Sequence, residues 1–223
     1  MRTLRDRRLV AIAAGVLSTA TVLTMTTGTA SASDASQAKA LLITAADVGA
    51  GYKKSTSSPS PDVFPQIAQC VGKPVTGRKV TVTVNGPDFT DQQTGAVVSS
   101  EVDFLRTAAM VKQDEAVAKD SSFPDCIASV AKQQPGASDI TSITAQRVPV
   151  KKFGDYSTAV LAGVTGTSNG QTFTATVVQV GILKGRAEVQ ANFTTNGTQA
   201  FSQATAEKIL AKVNSRLQKA NVS

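Results

Sequence analysis

The fold class is predicted most clearly by residues 158–195, TAVLAGVTGTSNGQTFTATVVQVGILKGRAEVQANFTT. The stretch holds three runs of β-branched and small apolar residues, separated by the turn motifs Ser168-Asn169-Gly170 and Lys184-Gly185. In the last run, apolar residues at 187, 189, 191 and 193 alternate with polar ones. This period of two predicts an antiparallel meander with one covered face.

The flanking sequence adds strands and helices to this meander. Alternating patterns predict further strands at 80–84 and 98–104, and another strand is predicted over 140–148, ended by Pro149. Helical spacing predicts helices over residues 36–48, 63–70, 108–119, 123–133 and 198–219, and a Lys/Ser/Pro-rich loop is predicted over 53–61. Strands followed by segregated helices are typical of the α+β class. We therefore predict an antiparallel sheet packed against helices, in a two-layer sandwich with a cleft between them.

The first 32 residues have the pattern of a secretory signal peptide. Four arginines among residues 2–8 precede an uncharged apolar run over 9–25, and Ala30-Ser31-Ala32 is a small-x-small cleavage site. An N-terminal membrane anchor is the alternative, although threonines and a serine interrupt the run. The first cysteine after the run is Cys70, so no lipid anchor is expected. We predict a signal peptide over 1–32 and one domain over 33–223, secreted and without stable membrane insertion after cleavage.

The charge of the chain does not indicate a nucleic-acid partner. The 223 residues carry a net charge of +7, from 23 Lys and Arg against 16 Asp and Glu. Residues 1–32 contain four Arg and one Asp, so the net charge of residues 33–223 falls to +4. The eight Phe and two Tyr are scattered and do not interleave with basic residues as stacking platforms would.

Two cysteines, Cys70 and Cys126, are the natural disulfide pair of an exported chain. Closing a loop of this length contributes about 4 kcal/mol, chiefly by restricting the unfolded chain. The alternative, a reactive thiol pair, lacks the Cys-x-x-Cys spacing that would support it.

The absence of histidine excludes several kinds of site. Without imidazole there is no Ser-His-Asp or Cys-His nucleophile, no His-bearing zinc site and no His-based proton shuttle. The sequence has no phosphate-binding Gly-rich motif, and Asp88 and Asp91 lack the ligand spacing of an EF-hand. We therefore expect no metal, no cofactor and no catalytic residue. A Ser-Lys dyad stays open, because its members need not be close in sequence.

A few side chains are candidates for a ligand site. Glu101 and Asp103 project from the same face of a predicted strand and could act as paired acids, although outward polar positions explain them more simply. Asp114 is expected on a solvated helix face. Tyr52 and Tyr156 follow glycine-containing motifs in predicted loops, where they could border a pocket or anchor the loop.

Several motifs together resemble the extracellular sensor domain of PknH-type bacterial Ser/Thr kinases and its free-standing secreted relatives. They are the opening ALLITAADVG at 40–49, an early cysteine, the strand over 97–104, an Ala-rich helix, and the helix start Phe-Pro-Asp-Cys at 123–126. The resemblance covers most of residues 33–223 and implies an antiparallel sheet with helices around a cleft for an unidentified extracellular ligand. This chain has one cysteine pair where the kinase sensors usually have two, and no kinase segment.

We predict a secreted, non-catalytic, sensor-like domain that binds an unknown small molecule or extracellular protein, and that is monomeric. Two alternatives belong to other classes. One is a His-free hydrolase that uses Glu101 and Asp103 as paired carboxylates, and it requires both to line a concave pocket. The other is a module that docks on the cell wall or another protein, and it requires an exposed apolar patch larger than about 600 Å².

Overall fold

The computed structural model describes residues 29–57, 61–134 and 137–223. The helices are α1 (Thr29–Leu41), α2 (Ala45–Val48), α3 (Phe64–Cys70), α4 (Ala108–Ala118), α5 (Phe123–Lys132) and α6 (Gln203–Lys219), with a 3-10 helix at Ala137–Asp139. The strands are β1 (Tyr52–Ser55), β2 (Val80–Asn85), β3 (Asp88–Asp91), β4 (Val97–Leu105), β5 (Ile140–Val148), β6 (Tyr156–Ser168), β7 (Gln171–Lys184) and β8 (Ala187–Asn196). The predicted signal peptide lies outside the described residues, except for positions 29–32, which begin α1.

These strands form one antiparallel sheet in the order β1-β3-β4-β8-β7-β6-β5, with β2 also paired to β4. The predicted hairpin joins β6 to β7, and its register runs from Tyr156 opposite Leu183 to Ser168 opposite Gln171. Asn169 and Gly170 have φ of 51° and 74°, the positive values that match a two-residue loop to the twist of its strands. The decisive stretch of sequence therefore forms the meander β6-β7-β8.

One side of the sheet, here called the α6 face, carries the larger core. Leu41 of α1 and Ile209 and Leu210 of α6 pack there against Phe104 of β4 and Phe193 of β8. All five side chains are almost completely buried. The apolar half of the alternation in β8 therefore faces helices, as predicted.

The opposite side, here called the α5 face, carries a second core. Ile67 of α3 and Ile127 and Val130 of α5 pack against Val160 of β6 and Val177 of β7. The predicted α+β class, with an antiparallel sheet packed against helices, is confirmed. Helices cover both faces, whereas the predicted sandwich had a single helical layer, because a strand pattern does not reveal what covers its second face.

The disulfide expected between Cys70 and Cys126 is present, with an S–S distance of 2.13 Å and Cα atoms 5.7 Å apart. It joins the end of α3 to the first turn of α5. Since α3 is a short helix of 7 residues, this covalent link holds it against α5 and fixes both helices on the α5 face.

The helix predicted over 36–48 is divided into α1 and α2 by residues 42–44. The break is stabilised by two polar contacts. The Ile43 N–H donates to Ser100 Oγ on β4 at 2.9 Å, and Thr44 begins α2 with a capping box to Asp47. Arg216 of α6 then donates to Asp47 at 2.8 and 2.9 Å, which ties α2 to the C-terminal helix.

Strand β1 lies where a loop was predicted, because Tyr52 to Ser55 pairs in register with Asp88 to Asp91 of β3, a segment distant in sequence. The last helix begins at Gln203 and not at 198, since the Ser202 hydroxyl accepts from Thr205 N–H as its N-cap. Among the described residues, no helix combines the length and apolar character needed to cross a membrane.

Candidate functional site

A cavity of about 90 Å³ lies on the α5 face, between the sheet and helices α3, α4 and α5. The empty volume is about 880 Å³ when the solvent-filled space at the mouth of the cavity is included. Much of its wall is apolar and includes Val63, Phe64, Ile67, Phe123, Ile127, Ala131 and Val160. The disulfide fastens two sides of this wall together, since α3 and α5 both contribute to it.

The floor of the cavity is polar because of the strand register. Asp103 of β4 lies directly opposite Glu188 of β8, and Glu101 lies opposite Gln190. Gly181 of β7 lies opposite Gln190 on its other side. A Cβ placed on Gly181 would meet nothing closer than a Thr158 methyl at 3.7 Å, so the cavity extends over the space that this glycine leaves.

Arg78, in the segment before β2, organises the carboxyl groups of the site. Its side chain is 5% exposed. Nε donates to Asp114 at 2.6 Å, Nη1 to Asp62 at 3.0 Å and Nη2 to Glu188 at 3.3 Å, while the guanidinium lies 4.9 Å from the ring centre of Phe64. Burial acts to lower the pKa of Arg78, but the three carboxylates outweigh it and raise the pKa further.

Three carboxyl groups of the cavity hold their protons to unusually high pH. Burial raises the pKa of Asp103 to about 7, against the opposing effects of a hydrogen bond from the Thr83 hydroxyl and the charge of Arg78. Burial and the neighbouring Asp114 raise the pKa of Glu188 well above its usual value. Burial also raises the pKa of Asp114, although Arg78 opposes it.

Asp114 and Glu188 share a hydrogen-bonding contact that needs a proton. When both groups are ionised, Asp114 Oδ1 and Glu188 Oε1 are buried acceptors without a donor. A proton on Glu188 allows it to donate to Asp114, which accounts for the opposite effects of this bond on the two pKa values. The site therefore places carboxyl groups with raised pKa values, which can gain or lose protons, beside an apolar wall.

The structure brings together three of the four predicted candidates. Glu101, Asp103 and Tyr156 line the cavity, whereas Tyr52 lies in β1 opposite Asp91, at another part of the sheet. The prediction of loops around Tyr52 and Tyr156 was wrong, since both residues begin strands.

The interpretation of Glu101 and Asp103 as outward polar residues was also wrong. They are 3% and 6% exposed, and Asp114, predicted on a solvated helix face, is 2% exposed. Sequence reasoning did not identify Arg78, and it placed Glu188 on an uncovered face. The only sequence signal for Glu188 was its place among the polar residues that alternate with apolar ones in β8. Strands with one face in solvent show the same alternation, so the pattern could not reveal that Glu188 is buried.

A second depression, of about 420 Å³, lies over the outer part of β5, β6 and β7. Its lining is uncharged and rich in threonine, including Thr144, Thr165, Thr174 and Thr176. Because the described lining of this depression has no ionisable group, the cavity on the α5 face is the better candidate site. Within the described ranges, no three His, Cys, Asp or Glu residues are arranged to hold a metal ion.

No protein-family model matches this chain, and no curated protein matches its sequence. Among solved structures, the chain is similar to the extracellular domain of PknH from Mycobacterium tuberculosis, with a TM-score of 0.49 and 16% sequence identity. The match covers 81% of this chain and 96% of that domain. At this identity the likeness concerns the overall fold alone, and membership of the kinase sensor family stays a prediction.

Proposed function

We propose that this protein is a secreted, non-catalytic, sensor-like domain that binds a small molecule in the cavity of the α5 face. The observation that carries the proposal is the combination of an apolar wall with several buried polar groups that converge on one open cavity. Ligand sites of soluble proteins have this composition, in which the apolar surface supplies affinity and a few polar groups orient the ligand.

The energetic cost of the cavity supports a functional role. An open space of about 90 Å³ leaves apolar side chains of α3 and α5 without the close packing that a filled core would give them. Buried carboxyl groups add a desolvation penalty that apolar residues of the same size would avoid. Clusters of titratable groups with shifted pKa values are concentrated at functional sites, which favours retention of this arrangement for binding.

Export of the protein is supported by two independent features. The leader pattern at 1–32 predicts secretion, and the disulfide between Cys70 and Cys126 is stable in an oxidising compartment. Because this disulfide holds the wall of the cavity, the proposed binding site depends on folding outside the cytoplasm.

A catalytic role is the second candidate, favoured by one observation. Asp103, with a pKa of about 7, could act as a general acid beside Glu101, and both residues line the cavity. In this case, a bound molecule would be converted and released as a product. Asp103→Asn would abolish the conversion while leaving the binding of the unreacted molecule in place.

Native mass spectrometry of protein purified from culture medium tests the proposal. We expect a non-covalent adduct that disappears on denaturation. Gly181→Val should remove the adduct without unfolding the protein, because it adds side-chain volume to the cavity at a position with room for a Cβ. Thr165→Val, which removes a hydroxyl in the second depression, is the matched control and should retain the adduct. Absence of any adduct, or an adduct unchanged by Gly181→Val, would contradict binding in this cavity.

A further inference from the structure

We infer that the ligand of this cavity presents a cationic head group, an ammonium or amidinium, on an apolar body, and that it displaces a proton from the buried carboxyl cluster when it binds. The inference rests on the proposed binding function and specifies the chemistry of the same site. The carboxyl cluster is defined here as Asp62, Glu101, Asp103, Asp114 and Glu188.

The strongest donor of the site, the Arg78 guanidinium, is already engaged in hydrogen bonds within the protein. Three nitrogens of Arg78 each donate to a different carboxylate, namely those of Asp62, Asp114 and Glu188. An anionic ligand would have to break these bonds to reach the guanidinium. It would also face carboxyl groups on β4, α4 and β8 at close range.

Asp114 has a buried carboxyl oxygen whose donor must be either a proton on Glu188 or a group of the ligand. Asp114 is 2% exposed and lines the cavity, and its Oδ1 has no hydrogen-bond partner among the described residues. Glu188 Oε1 is likewise buried without a hydrogen-bond partner among the described residues. A buried carboxylate oxygen left without a donor is costly, so the site needs either a proton or the N–H group of a ligand at this point.

Acidic groups predominate among the ionisable side chains around the cavity. The ionisable groups around it are Glu101 and Asp103 from β4, Asp114 from α4, Glu188 from β8, Asp62 and Arg78 from the segments flanking α3, and Tyr156 from β6, whereas α3, α5 and β7 line it with uncharged residues. Lys119, whose Nζ lies 5.1 Å from the ring centre of Tyr156, also bonds Glu115. When they are ionised, the carboxyl groups outnumber the cations that face them, and a cationic ligand would balance this excess of negative charge.

The apolar wall defines the other half of the ligand. Side chains of α3 and α5, including Ile67, Phe123 and Ile127, line the space next to the carboxyl cluster. An apolar body can pack against them while its charged head lies between β4 and β8. The rings of Phe64, Phe123 and Tyr156 line the same cavity and add apolar contact area, while basic side chains of the protein already lie near all three rings.

Three six-carbon probes of matched length separate the head-group chemistries. n-Hexylammonium, n-hexanol and hexanoate are titrated into protein prepared from the full chain by isothermal titration calorimetry. We expect hexylammonium to bind at least tenfold more tightly than hexanol, and hexanoate to bind least. An alkylammonium stays charged below about pH 10, as lysine does, so in the hexylammonium titrations only the protein changes its protonation.

The pH dependence reports the displaced proton. Since the free cluster holds protons near neutral pH and the cation removes them, the affinity for hexylammonium should rise by up to tenfold per pH unit between pH 5 and 7. Hexanol should show no such slope. Titrations in phosphate and Tris buffers, which differ in ionisation enthalpy, should show release of up to one proton for each ammonium bound.

Isosteric variants locate the effect. Glu188→Gln and Asp103→Asn each remove one acidic group and keep its shape. Each should weaken hexylammonium binding at least fivefold and flatten the pH slope, while hexanol binding stays unchanged. Asp139→Asn, an exposed position near the start of β5, is the control and should alter neither. If one cavity variant fails to fold, the other suffices.

The outcomes distinguish the ligand class from the binding function. Equal or tighter binding of hexanol or hexanoate, or ammonium binding without proton release, overturns the cationic head group and leaves the cavity as a ligand site. Binding of none of the three probes also overturns it. If native mass spectrometry then shows no adduct, the proposed binding function falls with it.

Discussion

Asp103→Asn should stabilise the protein at neutral and alkaline pH and change little at acidic pH. Asp103 is 6% exposed, and burial is the largest contribution raising its pKa from 3.8 to about 7. Below pH 3.8 the carboxyl is protonated in both the folded and the unfolded chain. Between pH 3.8 and about 7 the folded state alone retains the proton, so this group makes the folded state progressively less stable as the pH rises.

The pKa shift gives the size of the effect. A rise from 3.8 to about 7 corresponds to about 4 kcal/mol at pH 8, at 1.36 kcal/mol for each pKa unit. At pH 4 the same relation leaves less than about 1 kcal/mol. Asparagine is neutral at every pH and keeps an oxygen that can accept the hydrogen bond from the Thr83 hydroxyl. The stability gain should therefore appear between pH 4 and 7 and level off above pH 8.

Urea unfolding followed by far-ultraviolet circular dichroism measures this difference, since the chain has no tryptophan for fluorescence. We expect the unfolding free energies of the variant and the natural protein to be similar near pH 4. At pH 8 they should differ by about 2–4 kcal/mol, as the rise in the Asp103 pKa implies. Asp139→Asn, on the exposed 3-10 helix, should change stability by less than about 0.5 kcal/mol. Equal stability of Asp103→Asn and the natural protein at pH 8, or destabilisation by the variant, would show that Asp103 carries no buried charge in the folded state.

Three further changes test other parts of the structure. Replacing Cys70 and Cys126 together by serine should lower the unfolding free energy by about 4 kcal/mol; a loss below 1 kcal/mol in urea unfolding would contradict a structural disulfide. Burial acts to raise the pKa of Asp47, but hydrogen bonds from the Arg216 guanidinium and Thr44 outweigh it and hold this pKa below its usual value. The Asp47 carboxylate therefore stabilises the fold above about pH 4, and this stabilisation is lost as the pH falls further. Asp47→Asn should therefore cost about 1–2 kcal/mol at pH 7 and little at pH 3, and a cost independent of pH would refute the ion pair. Gly185→Ala should cost at least about 2 kcal/mol, because φ is +55° and a Cβ would overlap the Val222 carbonyl; a melting temperature unchanged by this substitution would argue against the contact.

The fold was predictable wherever local pattern and tertiary structure agree. The meander β6-β7-β8 follows from two turn motifs and alternating side chains, and the hairpin at Asn169-Gly170 forms as the motif predicts. The strand β4 and helix α4 also follow from spacing, and the Thr107 hydroxyl caps α4 as an N-cap residue would. These elements are specified by residues close together in sequence.

Short edge strands were not predictable because their stability comes from a distant partner. Residues 52–55 have no alternation of their own, and their pairing with 88–91 brings together segments more than thirty positions apart in the chain. The division of the first helix has a similar origin. Ser100 of β4 accepts from Ile43 N–H at the break, and Arg216 of α6 holds the short helix beyond it.

The candidate site was predictable only in part, for the same physical reason. The residues Glu101 and Asp103 could be selected from sequence because two acids share one strand face. Whether that face meets solvent or a cavity depends on the positions of α3 and α5, which pack through non-local contacts and a disulfide. Arg78 had no sequence pattern at all, since its partners Asp114 and Glu188 lie 36 and 110 positions away.

The burial of these acids changes what the lack of histidine implies. A chain without imidazole has no side chain whose unperturbed pKa lies near neutrality, and this absence favoured binding over catalysis in the sequence. Burial nevertheless raises the pKa of Asp103 to about 7 and that of Asp88 to about 6. Asp103 faces the cavity. A buried carboxyl group can therefore exchange a proton near neutral pH, although the amino-acid composition contains no histidine for this role. A ligand would displace this proton, whereas a substrate would receive it. Asp103→Asn distinguishes the two cases because it removes the proton without changing the space in the cavity.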